Sequence, residues 1–61
     1  MNTHKLRIKY IDDVIEHLNC YTWETGKTEL IISRYEGNNQ VETLYFIPLT
    51  NIRYIVDEIN A

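Results

Sequence analysis

Apolar and basic residues alternate strictly through Lys5-Leu6-Arg7-Ile8-Lys9-Tyr10. That two-residue period marks a strand with one face buried. Leu6, Ile8 and Tyr10 are expected to face a core, and Lys5, Arg7 and Lys9 to face outward. Asp12-Asp13 then reads as a turn. Further on, Thr28 to Tyr35 predicts a strand around the apolar Leu30-Ile31-Ile32. Glu36-Gly37-Asn38-Asn39 is the strongest turn signal in the chain, because Gly and Asn tolerate positive φ. Gln40 to Ile47 completes a hairpin, and Pro48 ends it. Thr25-Gly26-Lys27 is a further turn.

Two segments fit both periods. In Val14 to Glu24, Ile11, Val14, Ile15 and Leu18 fall at helical spacing, and Asp12 or Asp13 can cap such a helix. The same segment continues into Asn19-Cys20-Tyr21-Thr22-Trp23, rich in strand formers, and strand is favoured. In the tail from Leu49 to Ala61, Thr50 is a fair N-cap for a helical stripe of Leu49, Ile52, Ile55, Val56 and Ile59. Ile52, Tyr54 and Val56 also alternate as in a strand. Either way Leu49 and Ile52 should pack on the core. The expected fold class is mainly β or α+β: a small antiparallel sheet or barrel of four to five strands, with a C-terminal helix as one reading of the tail.

The central hairpin is apolar on both parities. Leu30 and Ile32 lie on one face, Ile31 and Tyr35 on the other; Val41, Tyr45 and Ile47 oppose Leu44 and Phe46. A strand apolar on both faces calls for cover on both. The chain has 61 residues, enough for a single domain over 1–61 and little more. One cysteine, Cys20, allows no internal disulfide and fits a reducing compartment. A homodimer or a partner protein is therefore the expected cover, against the plainer alternative of a barrel that curls enough to bury both sides.

Met1 to Tyr10 is polar and basic with no apolar stretch behind it, so no secretory leader is expected. The longest uninterrupted apolar run, Leu44-Tyr45-Phe46-Ile47, is too short to span a bilayer. A cytoplasmic protein is expected, with no membrane partner. A net charge of −3 argues against general nucleic-acid binding.

Candidate chemistry is sparse. Asp12, Asp13 and Glu16 cluster in sequence, but acidic residues beside a turn are ordinary. His17 and Cys20, with His4 as a third group, fall short of the four ligands of a structural zinc site. Cys20 as a nucleophile would have only His17 for a base. No phosphate loop, nucleophile elbow or dinucleotide fingerprint is present. No catalytic residue, metal or cofactor is expected, and an enzyme is the least favoured class. The stripe of Lys5, Arg7 and Lys9 can contact phosphates, with Tyr21, Trp23 and Tyr54 as stacking partners. It equally reads as an edge strand guarded by cations, with Glu16, Glu24 or Glu29 opposite. Five tyrosines, one tryptophan and one phenylalanine exceed what so small a core can enclose. Trp23 and Tyr45, with Phe46 beside them, are the expected interface anchors.

Tyr45-Phe46-Ile47-Pro48-Leu49-Thr50-Asn51-Ile52-Arg53-Tyr54-Ile55 resembles a recurring ending in small β-proteins of Gram-positive bacteria and their phages. Leu6-Arg7-Ile8-Lys9-Tyr10 is similar to their first strand; where they carry a glycine after it, this chain has Asp12-Asp13. The resemblance covers about a third of the chain and implies a fold, not an activity. Size and acidity also resemble phage-encoded inhibitors of bacterial defence, among them the Hachiman anti-defence family. That resemblance implies a stoichiometric, dimeric, non-catalytic protein that occludes a site on a host defence protein in the host cytoplasm. The alternatives are a nucleic-acid module built on Lys5, Arg7 and Lys9, and a sponge for a nucleotide signal.

Overall fold

A computed structural model describes residues 2–58. Its strands are β1 (His4–Tyr10), β2 (Ile15–Cys20), β3 (Thr22–Thr25), β4 (Glu29–Glu36), β5 (Val41–Pro48) and β6 (Ile52–Asp57), with a 3-10 turn at Leu49–Asn51 before β6. They form two three-stranded antiparallel sheets, ordered β2-β1-β6 and β3-β4-β5. The chain passes between the sheets twice. One passage is the single residue Tyr21, whose N–H donates to the Ser33 carbonyl at 2.8 Å. The other is the 3-10 turn after Pro48.

The period-2 reading of the first segment holds. Leu6 and Ile8 are fully buried and Tyr10 packs against them. With Cys20, Leu30 and Ile32 they form the core, flanked by Leu18, Trp23, Ile47, Leu49, Ile52 and Ile55. β1, β2 and β4 contribute alternate residues, and β6 contributes Ile52 and Ile55 across a shift in its register with β1, so the core is the space between the two inner faces.

Three expectations need correction. The described residues form six strands, because the segment from Val14 to Glu24 is divided at Tyr21 into β2 and β3. Strand prevails over helix there because Ile11, Val14 and Ile15 of the helical stripe stay exposed, whereas Leu18 and Cys20 alternate into the core. The tail is not a helix. Residues 52–57 pair with β1, Ile8 opposite Ile55 and Lys9 opposite Tyr54. The free edge of β1 satisfies the tail's backbone groups while Ile52 and Ile55 still reach the core. Ile59 of the helical stripe lies outside the described residues. The hairpin strand also runs one residue further, to Pro48 opposite Glu29; at a sheet edge a proline is tolerated.

Two turns rely on left-handed backbone. Gly37 has φ 76° as its position predicts, but the second such residue in that turn is Gln40 (φ 52°), not an asparagine. After β1, Asp13 adopts φ 69°. Asp is among the residues that tolerate this conformation. Among the described residues no helix is long and apolar enough to cross a membrane.

Candidate binding surface

The β4–β5 register sets what each face of the second sheet presents. Leu30 opposes Ile47 and Ile32 opposes Tyr45 toward the core; Ile31 opposes Phe46 and Ser33 opposes Leu44 on the outside. Among the described residues no layer covers that outer face. Leu44 is 53% exposed and Phe46 54%, with Val41 and Tyr45 also exposed on the same strand. Such a cluster on a domain of this size is unusual, since exposed apolar residues are normally scattered.

The face is shaped as well as apolar. A shallow depression of about 360 Å³ is lined by Thr22, Trp23, Glu24, Ile31, Ser33, Glu42 and Leu44. Ile31 and Leu44 supply its aliphatic lining, and the exposed carboxylates of Glu24 and Glu42 its rim. Ser33 is buried there, its Oγ donating to Glu42 at 2.5 Å. At the margin Tyr21 and Tyr35 meet edge to face, centroids 5.2 Å apart.

The expected anchors divide. Phe46 lies on this face. Tyr45 lies on the opposite face of β5, in an open slot that Glu16, Leu18, Ile32, Arg34, Ile47 and, from the strand's edge, Phe46 also line. Its hydroxyl reaches both Glu36 oxygens, at 2.5 and 2.7 Å, and that hydrogen bond pushes the phenol's pKa up. Trp23 is not a free anchor. It is half-buried against the core, and its Nε1–H donates to Asp57 at 2.9 Å. The same carboxylate oxygen lies 2.8 Å from His4 Nδ1. This clasp joins β1, β3 and β6 where the two sheets meet. The sequence carried no signal for it, because Asp57 is 53 residues from His4 and 34 from Trp23.

Lys5, Arg7 and Lys9 do share the outer face of the first sheet. The residues opposite them on β2 are Asn19, His17 and Ile15, and not the glutamates expected; Glu16 faces the other way, opposite Ile8. The stripe is partly neutralised from elsewhere. Arg7 lies 3.9 Å from Glu58 and Lys9 3.8 Å from Asp13, which also holds Arg53 at 3.5 Å. Of the expected stacking partners only Tyr54, opposite Lys9, stands beside it. Trp23 is tied to Asp57 and Tyr21 to Tyr35.

The remaining candidate groups have structural roles. Asp12 caps the turn by accepting from the Val14 N–H at 3.1 Å. Glu16 accepts from Tyr10 at 2.5 Å. His17 and Cys20, three apart, point to opposite sides of a strand. His17 is exposed, whereas Cys20 is buried and its thiol pKa is raised by desolvation and then by Asp57. Among the described residues no three His, Cys, Asp or Glu side chains group as a metal site.

Comparison with family models, curated proteins and solved structures finds no match to this chain.

Proposed function

We propose that this is a small non-catalytic binding protein that occludes a site on a larger protein through the outer face of the β3-β4-β5 sheet. The observation that carries this reading is the exposed pair Leu44 and Phe46 on that face, where Leu44 also lines the depression beside Ile31. Aromatic and aliphatic side chains held on a rigid sheet lose little entropy on docking, so a few of them can carry tight binding. Glu24 and Glu42 at the rim favour a partner surface that is apolar in the middle and basic at its border. Inhibition would be steric and stoichiometric. A phage-encoded inhibitor of a host defence protein is the particular form suggested by the chain's small size and acidity.

The test is capture of a partner from nuclease-treated host lysate by the tagged chain, repeated with Phe46→Glu. One stoichiometric protein captured by the wild type and lost with Phe46→Glu, at an unchanged β-type circular dichroism spectrum, is the expected result. A partner retained by Phe46→Glu would place binding on another surface. If no protein is captured at all, the occlusion reading fails.

A further inference from the structure

The free edge of β5 calls for a specific kind of occupant. Among the described residues β5 is outermost in its sheet, so β4 fills only one of its two sides. The Leu49 N–H donates to the Thr28 carbonyl at 2.9 Å, one step beyond the Glu29–Pro48 pair and in the same register. Hydrogen-bonded pairs alternate along an antiparallel ladder. Ile47, Tyr45 and Thr43 therefore turn their backbone groups to β4, and Phe46, Leu44 and Glu42 turn theirs outward. Outward-facing N–H and C=O groups in a row are matched by another extended strand, not by a helix or a small ligand. The strand, VETLYFIP, also lacks the usual guards of an exposed edge: it has no lysine, and no proline before its last residue.

We infer that a second copy of this chain occupies this edge, β5 against β5, antiparallel about a two-fold axis at Tyr45. The sequence of the strand selects a copy of itself. A two-fold axis normal to the sheet keeps both inner faces on one side, so residues of like parity meet. Centred on Tyr45, Leu44 meets Phe46 of the other copy, and this happens twice. Thr43 meets Ile47, and Glu42, the strand's one charge, falls opposite Pro48. Centred on Leu44 instead, each Glu42 would face a Phe46. Centred on Phe46, the paired stretch would shorten. In the Tyr45 register no like charges oppose and the apolar pairs coincide, which is what stabilises cross-strand contacts.

The size of the domain points the same way. Its fully buried apolar side chains, among the described residues, are Leu6, Ile8, Cys20, Leu30 and Ile32. So small a core, without a disulfide, is the kind that association commonly supports. Pairing also joins the two outer faces. Ile31, Phe46 and the other copy's Leu44 line up in one row, and the two-fold repeats that row alongside. The inference thus extends the proposed binding surface into a composite one, while its test does not depend on that proposal.

Light scattering on the full chain is expected to give twice the 7.3 kDa of one chain. Leu44→Pro should halve that mass with the β-type circular dichroism retained, because the Leu44 N–H serves no bond to β4. Should that variant fail to fold, cysteine cross-linking decides. At the two-fold axis the Tyr45 Cα atoms would stand about 4.5 Å apart, within disulfide reach. Tyr45→Cys should therefore link to its copy under mild oxidation, and Thr43→Cys should not. A wild-type monomer, or a dimer that Tyr45→Cys leaves unlinked, overturns the inference. A monomer that still captures a partner would overturn the pairing alone and leave the binding role standing. A dimer that captures none would do the reverse.

Discussion

Asp57 shows how much one side chain can organise in so small a protein. Its carboxylate receives the Trp23 indole and lies against His4, so it fixes the relative position of three strands. A hydrogen bond to a charged group is worth more than a neutral one, about 1.5–3 kcal/mol. Partial exposure of this clasp lowers the expectation for Trp23→Phe to about 1 kcal/mol of lost stability, read by urea unfolding followed by circular dichroism. Tyr10 makes a second residue-scale prediction. Burial, then its hydrogen bond to Glu16, raises its phenol from 10.0 to about 12. Below pH 10 the folded and unfolded chains both keep the proton. Between pH 10 and 12 the unfolded chain releases it while the folded chain holds it, so stability falls as pH rises through that window. Unfolding free energies measured across it should fall less steeply for Tyr10→Phe.

At the scale of elements, the β4–β5 hairpin is both the most legible part of the chain and the source of its exposed surface. Its turn and both strands follow from Gly37 and the apolar runs on either side. Of its two apolar parities, one is enclosed at Leu30 and Ile32, and the other leaves Phe46 and Leu44 outside. Gly37 carries the conformational demand of the turn. A Cβ there meets nothing within 4 Å, yet φ is +76°, so Gly37→Ala should cost about 1 kcal/mol through backbone strain alone. Thermal unfolding of the variant measures it, and a neutral result would mean that the turn relaxes to another form. The segments that fitted both periods were decided differently. A helix from Val14 would have needed cover for Ile11, Val14 and Ile15, which the described residues leave exposed. A strand needs only the neighbour that β1 supplies.

For the whole molecule, the enclosed volume is the limiting quantity. At the usual stability per residue, a domain of this length holds about 3–9 kcal/mol. Ile8→Ala, at the centre of the core, should cost about 2–5 kcal/mol. That is comparable to the whole, so the variant is expected to be largely unfolded at room temperature by circular dichroism; a cooperative fold retained would mean that further burial, such as a second copy, supports it. The acidic balance of the chain is also unevenly placed. Cations gather on the outer face of the β2-β1-β6 sheet, while Glu24 and Glu42 rim the apolar face of the other. The two sheets thus present different chemistry to their surroundings.

By itself the sequence determined the strands whose alternation has a single solution, the turn at Gly37, the inward set of Leu6 and Ile8, and the excess of apolar surface in the hairpin. These are local properties, set by side-chain period and backbone preference. Only the tertiary structure decided that the tail is a strand, because that depends on the vacant edge of β1 and not on the tail's own pattern. It alone separated Phe46 from Trp23 as a surface group, since the partner that withdraws Trp23 lies 34 residues away. It alone placed Asn19, His17 and Ile15 across from the cationic stripe on the β2 side and Glu58 beside Lys5 and Arg7 on the other, because strand register is set by how the sheets close around the core.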